Sequence, residues 1–212
     1  MFPNLVTHHI QRGAVAAPND DPWPSSGQGL AYQYILAGNG VFVRAETDFF
    51  HAQLPIAACV VRGLTPLAAS FRLKVGRIPG RMLARVLADA RQARRVGGGL
   101  NEVLYQFHHQ GQRVQVRKPQ QQVGAISIMA VGGGAPDILC DLHSHGNMPA
   151  YFSQTDDADE QGARLYAVIG RLDSKPEIQL RVGVYGYWRA LPVTAVFTDR
   201  GPFADCGLRN AK

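Results

Sequence analysis

The chain has 212 residues, of which 46% are hydrophobic and 18% charged, and its formal net charge is +6. That suits one large domain, or a medium domain with a small module, able to bury a core without a disulfide or metal staple. It excludes a wholly disordered or collagen-like chain, and no apolar run approaches the roughly 18–20 residues of a membrane-spanning helix.

The first 29 residues read as irregular, with a run of breakers from Pro18 to Gly27. Met1 to Gly13 lacks a charged start followed by a long apolar stretch, so no secretory signal is expected. Tyr32–Leu36 and Val41–Arg44 flank Ala37-Gly38-Asn39-Gly40, which predicts a hairpin. Extended segments follow over 49–61 and 70–75, and residues 1–75 read as a small β-rich module. Pro79 suits a first helical turn, and Met82, Leu83, Val86, Leu87 and Ala90 recur at helical spacing, predicting a helix over 79–96 that Gly97-Gly98-Gly99 ends. Strands are then expected over 102–107 and 113–117. A buried strand follows over 123–131, broken by Gly132-Gly133-Gly134, and another over 137–143. The polar segment 153–163 reads as a helix. Residues 165–172 and 178–187 read as a second hairpin.

Cys59, Cys140 and Cys206 are too few and too widely spaced for a disulfide framework or a Cys-x-x-Cys zinc site. A reducing cytoplasm is the expected setting. Of the 22 basic residues, 18 are arginine, and eight basic residues fall between Arg72 and Arg95 with Asp89 as the only acid among them. A solvated helix face explains the run most simply. An acidic protein or nucleic acid could also be drawn to it, although no interleaved aromatics accompany it.

The stretch that carries chemistry is Asp141-Leu142-His143-Ser144-His145, followed by Ser153-Gln154-Thr155-Asp156. On an extended backbone, residues i and i+2 project to the same side, so His143 and His145 can present two imidazoles to one metal. Asp156 lies far enough downstream for a loop and a helical turn to return it as a third ligand. Two histidines and a carboxylate leave a fourth tetrahedral position for water, the arrangement of a catalytic zinc. Ser153 and Asp156 also fit a helix N-terminus, where Ser is a favoured cap and acids suit the first turn. The two readings are compatible. His8, His9, His51, His108 and His109 form no ligand spacing.

His-Ser-His, seven residues, then Ser-x-x-Asp resembles the JAMM motif of the JAB/MPN zinc metalloproteases. The resemblance runs from the helix at Pro79 to about Leu191. It implies an α+β fold: a JAB/MPN-like (cytidine-deaminase-like) mixed β-sheet flanked by helices over 76–199, with residues 200–212 as a tail. It implies Zn2+ held by His143, His145 and Asp156. It implies that Ser153 stabilises the oxyanion and that Glu102 is the general base. Glu102 is the only glutamate between the helix and the histidines. The family commonly has glycine shortly after this glutamate, where Val103, Leu104 and Tyr105 stand here, and often proline after the second histidine, where Gly146 stands. Tyr151 and Phe152 are candidates to line a substrate groove or to pack internally. More narrowly, the length, the added N-terminal module and the Asp141–Asn147 phrasing resemble the protein A family of the bacterial PRTRC cassette.

The implied activity is hydrolysis of an amide or isopeptide bond at the C-terminal tail of a ubiquitin-like protein or its conjugate. ThiF-like enzymes and other PRTRC cassette proteins are the implied partners. Two other readings stand beside it. Asp141–His145 superficially resembles the opening of PHP-type phosphoesterases, but no histidine follows His145 to complete their ligand set. A non-enzymatic assembly module of a plasmid-associated system, with DNA or acidic-protein contacts through the arginine-rich helix, is the third.

Overall fold

Strand alternation and one amphipathic helix dictate most of the architecture. The computed structural model describes residues 8–10, 32–94, 98–111, 113–123, 128–130 and 136–204. The chain forms two units, Met1–Val75 and Gly76–Lys212. The breaker run 18–27, Gly132-Gly133-Gly134 and Cys206 lie outside the described residues.

The first unit is a five-stranded sheet of β1 (His8–Ile10), β2 (Gln33–Ala37), β3 (Gly40–Glu46), β4 (Phe50–Ala58) and β5 (Ser70–Leu73). The strands lie in sequence order, with β1 parallel to β2 and every other pair antiparallel. The β2–β3 hairpin turns at Gly38-Asn39, where a Cβ on residue 38 would strike the Leu64 carbonyl. Ile35, Ala37 and Phe42 are buried, and Leu67 packs against them.

In the second unit α1 (Arg81–Ala90) buries Met82, Leu83, Val86, Leu87 and Ala90, the stripe that predicted it. The helix is shorter than the expected 79–96. Its apolar stripe runs out at Ala90, and Arg94 instead bridges back to Leu100. Only Arg81 and Arg85 of the basic run therefore lie on the helix. Arg91 Nε donates to the Leu172 carbonyl at 2.7 Å. Lys74, in the first unit, pairs with Glu46 at 2.9 Å. The run is thus not one helix face.

The main sheet comprises β6 (Leu104–Gln110), β7 (Arg113–Arg117), β10 (Ile138–Ser144), β11 (Arg164–Gly170), β12 (Glu177–Val184) and β13 (Tyr187–Leu191). Their order is β13-β12-β11-β10-β6-β7. The β10–β11 pair is parallel and the others antiparallel. The central strands β10 and β11 are covered on both faces, which explains their nearly unbroken burial. Tyr105 and Phe107 face the α1 side: the Tyr105 hydroxyl donates to Asp89 Oδ2 at 2.6 Å, and Phe107 meets the Phe197 ring edge-on at 5.5 Å. By alternation, Gln106, Asp141 and His143 face the opposite side, where α2 (Gln154–Asp159) lies.

Two expectations need correction. The single strand over 123–131 is instead a separate hairpin, β8 (Gln121–Val123) with β9 (Ile128–Ala130), paired Gln121 to Ala130. An apolar run does not reveal that it folds back on itself. The second hairpin is three strands, because Tyr185 (φ 47°) and Gly186 (φ 87°) form a left-handed two-residue turn before β13. Tyrosine is not a turn former, so the sequence read through it. At the C-terminal end, Phe203 is buried and Ala204 N donates to the Pro176 carbonyl at 2.9 Å, so residues 200–204 pack on the second unit. Among the described residues, no helix is long and apolar enough to cross a membrane.

Phe107 is fully buried between the sheet and Phe197. Phe107→Ala is expected to lower the unfolding free energy by about 3–5 kcal/mol, measured from urea midpoints. A loss well under 1 kcal/mol would show that this layer is not the core.

Candidate metal centre

The β10 strand brings His143 to its end, and His145 follows on backbone that is still extended along β11. His145 N donates to the Ile169 carbonyl at 2.8 Å, one step beyond the ladder. The two imidazoles therefore share a face. Their Nε2 atoms lie 3.1 Å apart and their ring centroids 4.9 Å apart.

Asp156 arrives from α2. Ser153 is the N-cap, with extended φ and ψ, and Asp156 occupies the third helical position. Ser153 Oγ accepts from Asp156 N at 3.2 Å, and Ser153 N donates to Asp156 Oδ2 at 2.6 Å, a complete capping box. The same carboxylate faces the histidines: Oδ1 is 3.3 Å from His143 Nε2 and Oδ2 is 4.0 Å from His145 Nε2. Among the described residues, one ligand atom from each of the three lies within 4.8 Å of the others.

This donor set fits a cation. Zinc bonds of about 2.0–2.1 Å in a tetrahedron separate donor atoms by roughly 3.3–3.4 Å. Two of the three distances, 3.1 and 3.3 Å, lie near that value. Burial holds His143 well below the usual imidazole range, and His145 and Arg181 push the same way against Asp156. His143 is therefore neutral near pH 7, with a lone pair to offer. His145 Nδ1 is buried without a hydrogen-bond partner among the described residues. Its ring packs edge-on against Tyr151 at 4.8 Å.

Glu102 lies just before β6 rather than on a strand, because the strand begins at Leu104. Leu104 pairs with His143. Val103 N donates to Ser144 Oγ, and Ser144 N donates to the Val103 carbonyl, each at 3.0 Å. These bonds extend the pairing one residue past the ladder, to Val103 and Ser144, and Glu102 directly precedes that bonded pair. Leu104 N is also held, by Gln121 Oε1 at 2.9 Å. Tyr151 is 44% exposed. Phe152 is half-buried, edge-on to His143 at 6.4 Å and under the Arg181 guanidinium at 3.8 Å, so it packs internally. Gly146 has φ 56°, a conformation closed to the proline often found there in the family.

Sequence reasoning missed several residues around this centre. Ser144 is fully buried and ties Val103 in place. Asp141 Oδ2 accepts from Arg164 at 2.6 Å and Oδ1 from Gln106 at 3.1 Å. Arg181 on β12 pairs with Asp157 at 2.6 Å and Glu160 at 2.6 Å. Burial pushes the Glu160 carboxyl up while Arg181 pulls it down. The one signal available was an arginine inside the apolar run Ile178 to Val184, which alone reads as a solvent-facing strand position.

Residues 83–182 match the family model described as prokaryotic homologs of the JAB domain. Over this stretch the chain is similar to the JAB/MPN family. No curated protein and no solved structure matches the chain.

Removing the Ser144 hydroxyl leaves the Val103 amide without its buried acceptor. Ser144→Ala should cost about 1–3 kcal/mol of stability in chemical denaturation. A neutral effect would mean that a water or a backbone shift replaces the bond.

Proposed function

We propose that the second unit is a zinc-dependent metallopeptidase that hydrolyses an amide or isopeptide bond by general-base catalysis. The observation that carries this reading is the convergence of His143, His145 and Asp156 within the stretch similar to the JAB/MPN family. Zinc held by these three side chains would keep one tetrahedral position open and supply Lewis acidity and a water of lowered pKa.

The chain's own residues do the rest. Glu102, one residue before the Val103–Ser144 bonds, accepts the proton of the attacking water and passes it to the leaving nitrogen. Ser153 Oγ already accepts from Asp156 N, so its hydroxyl proton is left to donate to the carbonyl oxygen as negative charge develops there. The carboxylate of Asp156 stays oriented because Ser153 N holds Oδ2. The exposed Tyr151 beside His145 and the exposed Met148 give an extended substrate apolar surface next to the centre.

The substrate proposed is the C-terminal tail of a ubiquitin-like protein or its conjugate. A narrow, extended tail can reach a centre whose ligands are largely buried, whereas a folded chain cannot. ThiF-like and PRTRC cassette proteins are the proposed partners, on the motif resemblance.

Metal analysis of protein purified without an affinity tag tests the reading. Near one zinc per chain is expected in wild type and far less in Asp156→Ala. Glu102→Gln should keep its zinc and lose turnover of a ubiquitin-like fusion by at least a hundredfold, the scale of a general base. A folded wild type that takes up no zinc when supplied would reject the metallopeptidase in favour of an assembly module. Unchanged turnover in Glu102→Gln would reject that residue's role.

A further inference from the structure

The helix that brings Asp156 to the histidines has no hydrophobic anchor. α2 is the hexapeptide Gln-Thr-Asp-Asp-Ala-Asp, and none of its residues is buried. Its capping box closes Ser153 onto Asp156 within the helix itself, so it shapes the turn without attaching it to the sheet.

Attachment comes from Arg181. On the histidine face, the register runs from Asp141 to Tyr166 to Arg181 across β10, β11 and β12. Arg181 is 7% exposed. Its Nη1 meets Asp157 Oδ1 at 2.6 Å, and its Nε and Nη2 meet Glu160 Oε2 at 2.8 and 2.6 Å. It lies on the Phe152 ring at 3.8 Å and beside the Trp188 ring at 4.8 Å. Trp188 Nε1 in turn donates to the Glu160 carbonyl at 3.2 Å. One side chain therefore holds the residue before the cap, the residue after Asp156 and the helix C-cap.

We propose that Arg181 is a positioning residue for the metal centre: it clamps α2 to β12 and so sets where Asp156 stands relative to His143 and His145. This rests on the zinc reading above. The planar fork suits the task because it can engage two carboxylates and an aromatic face at once, which an ammonium cannot.

The test is zinc affinity of the full chain, measured by competition with a chromophoric chelator, together with the visible spectrum of the cobalt-loaded protein. Arg181→Met keeps the bulk of the stem and removes the fork. By field alone, losing a positive charge near a cation would tighten binding. The expected result is the reverse, about 10- to 100-fold weaker binding with altered cobalt bands, as found when a group orienting a ligand is lost. Arg181→Lys keeps the charge and should fall between the two. Wild-type affinity and spectrum in a folded Arg181→Met would overturn the proposal. If Arg181→Met does not fold, Arg181→Lys decides, and wild-type behaviour there overturns it equally. If wild type binds no zinc, or Asp156→Ala binds as tightly as wild type, the zinc reading itself fails and this inference with it.

Discussion

A six-residue helix with no buried side chain has to be held over a sheet face that carries two histidines. That constraint organises the second unit. Hydrophobic burial cannot meet it, since the helix offers only Ala158 as an apolar residue, and that residue is exposed. Charge and hydrogen bonding meet it instead. Asp156 closes the cap and points its other oxygen at His143, while Asp157 and Glu160 are pinned by Arg181. Buried ion pairs of this kind are poor sources of net stability, because desolvation offsets much of the attraction. Their use here is geometric.

The sheet supplies the other half of the geometry. Its β10 strand is paired parallel on one side and antiparallel on the other, so its end lies between two differently directed neighbours. On the β11 side, His145 N continues the parallel edge. On the β6 side, Ser144 binds Val103 through both its backbone and its hydroxyl. The serine between the histidines faces α1 while the histidines face α2. One short motif therefore serves both layers, and the period of two that brings the imidazoles together also sends Ser144 inward to fasten the chain that carries Glu102.

The two faces of this sheet differ in what they ask of sequence. The α1 face is apolar and tolerant, filled by the helix stripe with Phe107 and Phe197. The α2 face is a set of paired charges: Arg164 with Asp141, and Arg181 with Asp157 and Glu160. Arg181 is the buried member of this set, and losing both of its carboxylates would leave its charge buried and unpaired.

Much of this was legible locally. The helix stripe from Met82 to Ala90, the first hairpin around Gly38-Asn39, the shared face of His143 and His145 and the Ser153 cap follow from periodicities of 3.6 and 2 and from turn and cap chemistry, which neighbours in sequence express by themselves; the interval that joins the two halves of the site was legible through the motif resemblance. What failed were features decided by distant partners. The turn at Tyr185-Gly186 lacks turn residues on one side, and the hairpin of β8 and β9 looks like one strand because apolar character does not encode its pairing. Arg181 is the clearest case. In sequence it is an arginine on an alternating strand, indistinguishable from a solvated one. Only the packing of α2, Phe152 and Trp188 around it makes it a buried clamp. The sequence by itself determined which atoms could ligate a metal. The tertiary structure alone decided that they meet, since Arg181, which ties the helix carrying Asp156 to the sheet, stands more than twenty positions from the carboxylates it holds.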